Sequence, residues 1–114
     1  MPHFVIDCSE NIVKIKSPKE IIQKVYDTAE STELFDSGDI KVRINAFEYY
    51  NIGNTKDDFI HIFANIMEGR TISQKRNLSE KIITELKLMF PATPIISINI
   101  SDFEKTTYCN KSMV

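Results

Sequence analysis

The chain has 114 residues, 42% apolar and 26% charged, the balance of a globular protein with one modest core. Its 14 basic residues are spread among 16 acidic ones, giving a net charge of −2 and a pI near 5.7, which argues against a nucleic-acid partner. No apolar run approaches the ~20 residues of a membrane span, and the opening Met-Pro-His-Phe-Val-Ile-Asp lacks the basic start of a signal peptide, so a cytoplasmic protein is expected.

In chain order, Pro2 to Cys8 alternates Phe4 and Ile6 with His3, Val5 and Asp7, the period of a strand. Ser17-Pro18-Lys19-Glu20 predicts a helix start, with Ser17 as cap, Pro18 at the first helical position and Glu20 closing a capping box. Ile21, Ile22, Val25, Tyr26 and Ala29 then share a helical face. Gly38 marks a turn into a second strand, with Ile40, Val42, Ile44 and Ala46 on one face and Lys41, Arg43 and Asn45 on the other. The aromatic cluster Phe47, Tyr49 and Tyr50 is expected in the core or at a subunit contact. Asn51 to Asp58 is a polar loop, with Asp57 and Asp58 expected in solvent.

After that loop the pattern restarts. Phe59 to Met67 reads as a strand, apolar on both faces. Gly69-Arg70 breaks it, and Thr71-Ile72-Ser73-Gln74 is a second capping-box signature. Leu78, Ile82, Ile83, Leu86, Met89 and Phe90 mark a longer helix that Pro91 and Pro94 end, and Ile95 to Ser101 is a fourth strand.

The expected fold is therefore α/β (α+β): one domain over residues 1–114, built of two consecutive βαβ units at about 2–48 and 59–101. They would form a four-stranded sheet with both helices on one face. A ferredoxin-like sandwich has the same element order. The second sheet face is expected to be apolar and uncovered, with Ile40, Val42, Ile44, Ile98 and Ile100 too many for two helices, and association of subunits is expected to cover it.

Four residues stand out for chemistry. Pro2, once Met1 is removed, exposes a secondary amine that can take and give one proton, and burial with nearby cations would bring its pKa towards neutrality. Lys41 and Arg43 share a strand face and suit either a carboxylate-binding patch or plain solvation. Arg70, between a flexible Gly69 and a helix start, suits an anion clamp, and its loss is expected to harm turnover more than folding. His3 and His61 lie in strands with no nucleophile motif beside them. The two cysteines, Cys8 and Cys109, match no metal or redox spacing and are expected as free thiols. With only three glycines there is no phosphate-binding loop; no metal site is expected, and the absence of a cofactor is an expectation of the resemblance below.

The opening Pro2-His3-Phe4-Val5-Ile6-Asp7-Cys8-Ser9-Glu10-Asn11-Ile12 resembles the start of the 5-carboxymethyl-2-hydroxymuconate delta-isomerase family, P-H-F-x-x-E-C-S-x-N-I. Ile40-Lys41-Val42-Arg43 is similar to that family's I-R-x-R strand, and Phe59-Ile60-His61 and Gly69-Arg70-Thr71 to its F-V-H and G-R-S segments. Glu68-Gly69-Arg70-Thr71 also resembles the E-G-R-S of the shorter 4-oxalocrotonate tautomerases. The resemblance runs from Pro2 to about Phe90 and implies a tautomerase-like βαβ pair assembled as a homotrimer. It implies a cofactor-free proton shift in a tricarboxylate dienol of homoprotocatechuate degradation, with Pro2 as acid–base catalyst. Arg70, Lys41 and Arg43 would hold carboxylates and stabilise the dienolate. Lys41 stands where the family strand has an arginine, and lysine lacks the bidentate fork. Tautomerisation of another 2-oxo or enol acid, or a trimer that binds such an acid without turnover, are the competing readings.

Overall fold

The computed structural model describes residues 1–114 and carries the strand–helix–strand order twice. The strands are β1 (His3–Ser9), β2 (Lys41–Phe47), β3 (Phe59–Met67) and β4 (Ile95–Phe103); the helices are α1 (Ile12–Ile15), α2 (Pro18–Ser31) and α3 (Ile72–Met89). The one-turn helix α1 was not anticipated, although Ile12 is buried and Ile15 follows at helical spacing. Gly38 lies in a 3-10 turn, Ser37–Asp39, and β4 runs on to Phe103, beyond the expected Ser101.

Both predicted caps form. Ser17 Oγ accepts from the Glu20 N–H at 3.2 Å, but Glu20 takes the Ser17 hydroxyl (3.1 Å) rather than its backbone N–H, so that box is half made. At α3 the box is complete: Gln74 N–H donates to Thr71 Oγ1 (3.1 Å) and Thr71 N–H to Gln74 Oε1 (2.8 Å).

The sheet order is β2-β1-β3-β4. Within each half the strands are parallel, β1 with β2 and β3 with β4; the halves meet through an antiparallel β1–β3 pair. This α+β layer packs α2 and α3 against one face of the sheet. Phe4 and Ile6 of β1 and Ile60, Ile62 and Ile66 of β3 are fully buried there, with Ile21 and Val25 of α2 and Leu78, Ile82 and Leu86 of α3.

The expected apolar open face is corrected by the register. Val42 pairs with Phe4 and Ile44 with Ile6, while Ile98 pairs with Ile62 and Ile100 with Ala64. All four side chains, and Ile40, therefore join the helix-covered core. The uncovered face carries the alternate residues, mainly polar: Asp7 bonds Asn45 (3.2 Å), and His61 bonds Ser97 (2.7 Å) and Asn99 (2.6 Å). Phe63 is its large exposed apolar side chain at mid-strand. The aromatic cluster is not core either: Phe47 and Tyr49 are exposed, and Tyr50 packs edge-on against Phe59. Asp58 is not merely solvated; it accepts from Ser9 and Asn11, both at 2.8 Å, and ties the loop to the end of β1. No helix is long and apolar enough to cross a membrane.

Candidate active site

Pro2 immediately precedes β1. Antiparallel pairing sets the start of β1 beside the end of β3, where His3 faces Asn65, so the segment after β3 arrives next to Pro2. Parallel pairing sets the start of β2 on the other side, where His3 faces Lys41 and the Lys41 N–H bonds the Pro2 carbonyl at 3.1 Å. The two halves of the chain thus bring Pro2, Lys41 and Arg70 to one end of the sheet.

Gly69 makes the return possible. Its φ of +117° is a conformation that side-chain-bearing residues rarely adopt, and it turns the chain back from β3 so that Arg70 reaches inward. The guanidinium is then fixed from two sides: Arg70 Nη2 donates to the Leu34 carbonyl (2.6 Å) and Nη1 to the Met67 carbonyl (3.2 Å). It also lies 5.1 Å from the centre of the Phe35 ring. These two bonds use two of the five guanidinium N–H groups, and no carboxylate approaches to ion-pair distance, so donors and charge remain for an anion. Because the same bonds hold the turn that follows α2, Arg70 also has a structural role beyond the anion clamp expected from sequence.

A cavity of about 170 Å³ opens between these elements, lined by Met1, Pro2, Glu33, Leu34, Phe35, Asp36, Asp39 and Arg70. Pro2 is buried in it. Lys41 stands at its edge, with Nζ donating to the Asp39 carbonyl (2.9 Å) and 3.7 Å from Met1 Sδ. The amino group of Met1 senses this corner: burial above all holds it below its ordinary 8.0, Lys41 and Arg70 push the same way, and Asp39 and Asp36 oppose them.

Arg43 is not part of this cavity. It lies on the uncovered face, with Nη1 3.1 Å from His3 Nδ1, and lines a separate hollow of about 370 Å³ with Asn65, Phe103 and Tyr108. Lys41 and Arg43 share a face as expected, yet only Lys41 turns towards Pro2. Burial first, then the charges of Arg43 and Lys41, hold the His3 pKa below 6.5. Glu33, Asp36 and Asp39 were not singled out from sequence; the one signal was their density in the eight residues that lead into β2. No group of three or more His, Cys, Asp or Glu side chains converges as a metal site would require.

The 5-carboxymethyl-2-hydroxymuconate isomerase family model matches residues 2–112. Over 94 residues, 81% of this chain and 75% of the relative, the sequence is 26% identical to the 5-carboxymethyl-2-hydroxymuconate Delta-isomerase of Escherichia coli. The crystal structure of a 5-carboxymethyl-2-hydroxymuconate isomerase from Deinococcus radiodurans R1 superposes with a TM-score of 0.84 at 22% identity, covering 96% of this chain and 88% of the other. A fused 4-OT described as an asymmetric trimer superposes at 0.79 with 16% identity, covering 96% and 92%. These two structural likenesses concern the fold alone.

Proposed function

Since the chain belongs to the 5-carboxymethyl-2-hydroxymuconate isomerase family, we propose that it shifts a proton in a carboxylated enol or dienol without a cofactor, using Pro2 as general acid and base. Removal of Met1 converts the Pro2 nitrogen from a tertiary amide into a secondary amine. The free amine takes the proton of the 2-hydroxyl group, and the ammonium returns it to a distant carbon of the resulting dienolate, so the amine is regenerated and no atom is lost. The N–H groups of Arg70 not engaged with Leu34 and Met67 hold a carboxylate or the developing oxyanion, and Lys41 adds positive charge at the rim. 5-Carboxymethyl-2-hydroxymuconate, converted to its conjugated 2-oxo isomer, is the reference substrate supplied by the resemblance.

The observation that carries this reading is the meeting of buried Pro2 and a carboxylate-free Arg70 in one cavity. The homotrimer implied by the resemblance belongs to the proposal, with the uncovered sheet face as its contact. A second reading, tautomerisation of a simpler 2-oxo acid, is favoured by Lys41, whose ammonium is engaged by the Asp39 carbonyl instead of offering a fork to substrate.

Ketonisation of the dienol, followed by ultraviolet absorbance with protein shown by mass to start at Pro2, tests the reaction class. Acceleration well above buffer is expected. Binding of the acid with no acceleration would support a binding trimer instead and contradict the enzyme reading.

A further inference from the structure

Arg70 is held entirely by partners that carry no formal charge. They are the Leu34 carbonyl on Nη2, the Met67 carbonyl on Nη1 and the ring of Phe35, over which the guanidinium carbon lies at 5.1 Å. The ion pairs of the chain are Lys14–Glu10, Lys24–Glu85 and Lys75–Asp102, and none involves Arg70. A half-buried cation needs compensation for the water it has lost. A carboxylate would supply it, but would also cancel the charge that an anionic substrate is to find. Carbonyl dipoles and the negative face of an aromatic ring compensate in part and leave the full unit charge in place.

The ring supplies a constraint that the carbonyls lack. Two hydrogen bonds, one to each terminal nitrogen, fix a line through the guanidinium and leave its plane free to rock about that line. A third contact sets the tilt, and with it the direction of the N–H groups that remain unused. Phe35 is itself firmly placed for this. It is 9% exposed, belongs to the core, and meets Phe4 of β1 edge-on, with ring centroids 6.1 Å apart and planes at 76°. Phe4 lies two residues from Pro2, so a packed series runs from the strand that carries Pro2 through Phe4 and Phe35 to Arg70. Phe35 also lines the cavity that Pro2 and Arg70 share.

We propose that Phe35 is a positioning residue, whose ring face sets the tilt of the Arg70 guanidinium and aims its unused N–H groups at the substrate anion. The proposal rests on the tautomerase reading of Pro2 and Arg70 and adds a residue to it. The sequence gives Phe35 no distinction from any other core aromatic; its place over Arg70 is a property of the fold.

The test measures kcat/KM for dienol ketonisation on protein starting at Pro2. Phe35→Leu keeps apolar bulk but removes the ring face, and should lower kcat/KM about three- to thirtyfold; Phe35→Tyr keeps the face and should stay within about twofold of wild type. Site-specific incorporation of 4-fluoro-, 3,5-difluoro- and 3,4,5-trifluorophenylalanine at position 35 gives the sharper readout. Each fluorine draws electron density from the ring face with little change of shape, so a ring that only fills space is indifferent to the series. A stepwise fall in kcat/KM, with the trifluoro ring approaching Phe35→Leu, is the expected result. A flat fluorine series, or Phe35→Leu as active as Phe35→Tyr, overturns the positioning role while leaving Pro2 and Arg70 in theirs. No turnover by wild type starting at Pro2 removes the tautomerase reading, and the role of Phe35 with it.

Discussion

Arg70 donates to the carbonyls of Leu34 and Met67, so its removal releases the turn over residues 33–39 as well as the anion site. Arg70→Ala is expected to lose about 2–4 kcal/mol of transition-state stabilisation. It should also lose roughly 1–3 kcal/mol of folding stability from the two charge-assisted bonds, read by denaturant melting. Unchanged stability with lost turnover would restore the purely catalytic role expected from sequence. The histidine beside Arg43 gives a pH prediction. Because the folded-state pKa of His3 lies below 6.5, the unfolded chain binds more protons, and stability rises with pH from that folded value up through 6.5. Acidification across this window should therefore destabilise wild type more than His3→Asn. The cysteines differ too: burial, aided by Asp7 and Asp58, raises the Cys8 thiol to about 11, while Cys109 is exposed. One thiol should react with iodoacetamide in the native protein and both after unfolding; fast native labelling of Cys8 would contradict its place in the core. At this scale Pro2 and Arg70 could be singled out because each has an unusual sequence setting, and the structure brings them to one cavity. The carboxylates around them could not, because nothing in a loop sequence says which cavity its side chains will line.

The helices were legible through chemistry that acts within a few residues. Thr71 and Gln74 satisfy each other's backbone donors whatever the rest of the fold does, so the start of α3 was readable from four letters. Thr71→Ala should cost about 1 kcal/mol, measured by thermal or denaturant unfolding. An effect below a few tenths would mean that packing of Leu78, Ile82 and Leu86 alone sets that helix. The partnering of β1 with β3 is a different matter. Periodicity told which residues share a face of each strand, but not the order of the strands in the sheet. Direction of pairing is decided between segments far apart in sequence, and no local pattern records it. Yet the antiparallel choice is what carries Arg70 to Pro2.

For the whole molecule, the same lesson applies to the open face of the sheet. Counting Ile40, Val42, Ile44, Ile98 and Ile100 gave too many apolar residues for two helices, but register places all five in the helix-covered core. What remains uncovered is a polar face with Phe63 among Asp7–Asn45 and His61–Ser97–Asn99 hydrogen bonds. Association across it would draw on polar complementarity more than on apolar area. A trimer is the expected species by light scattering at micromolar concentration; a monomer would contradict any site completed by a neighbouring subunit.

The central claim is that the free amine of Pro2 performs the proton transfer. Two preparations whose amino termini are established by mass, one starting at Pro2 and one retaining Met1, should be compared for ketonisation of the same dienol. The account predicts that activity belongs to the chain starting at Pro2 and rises with pH as its amine becomes free base. Equal turnover by protein that quantitatively retains Met1 would show that Pro2 is not the base.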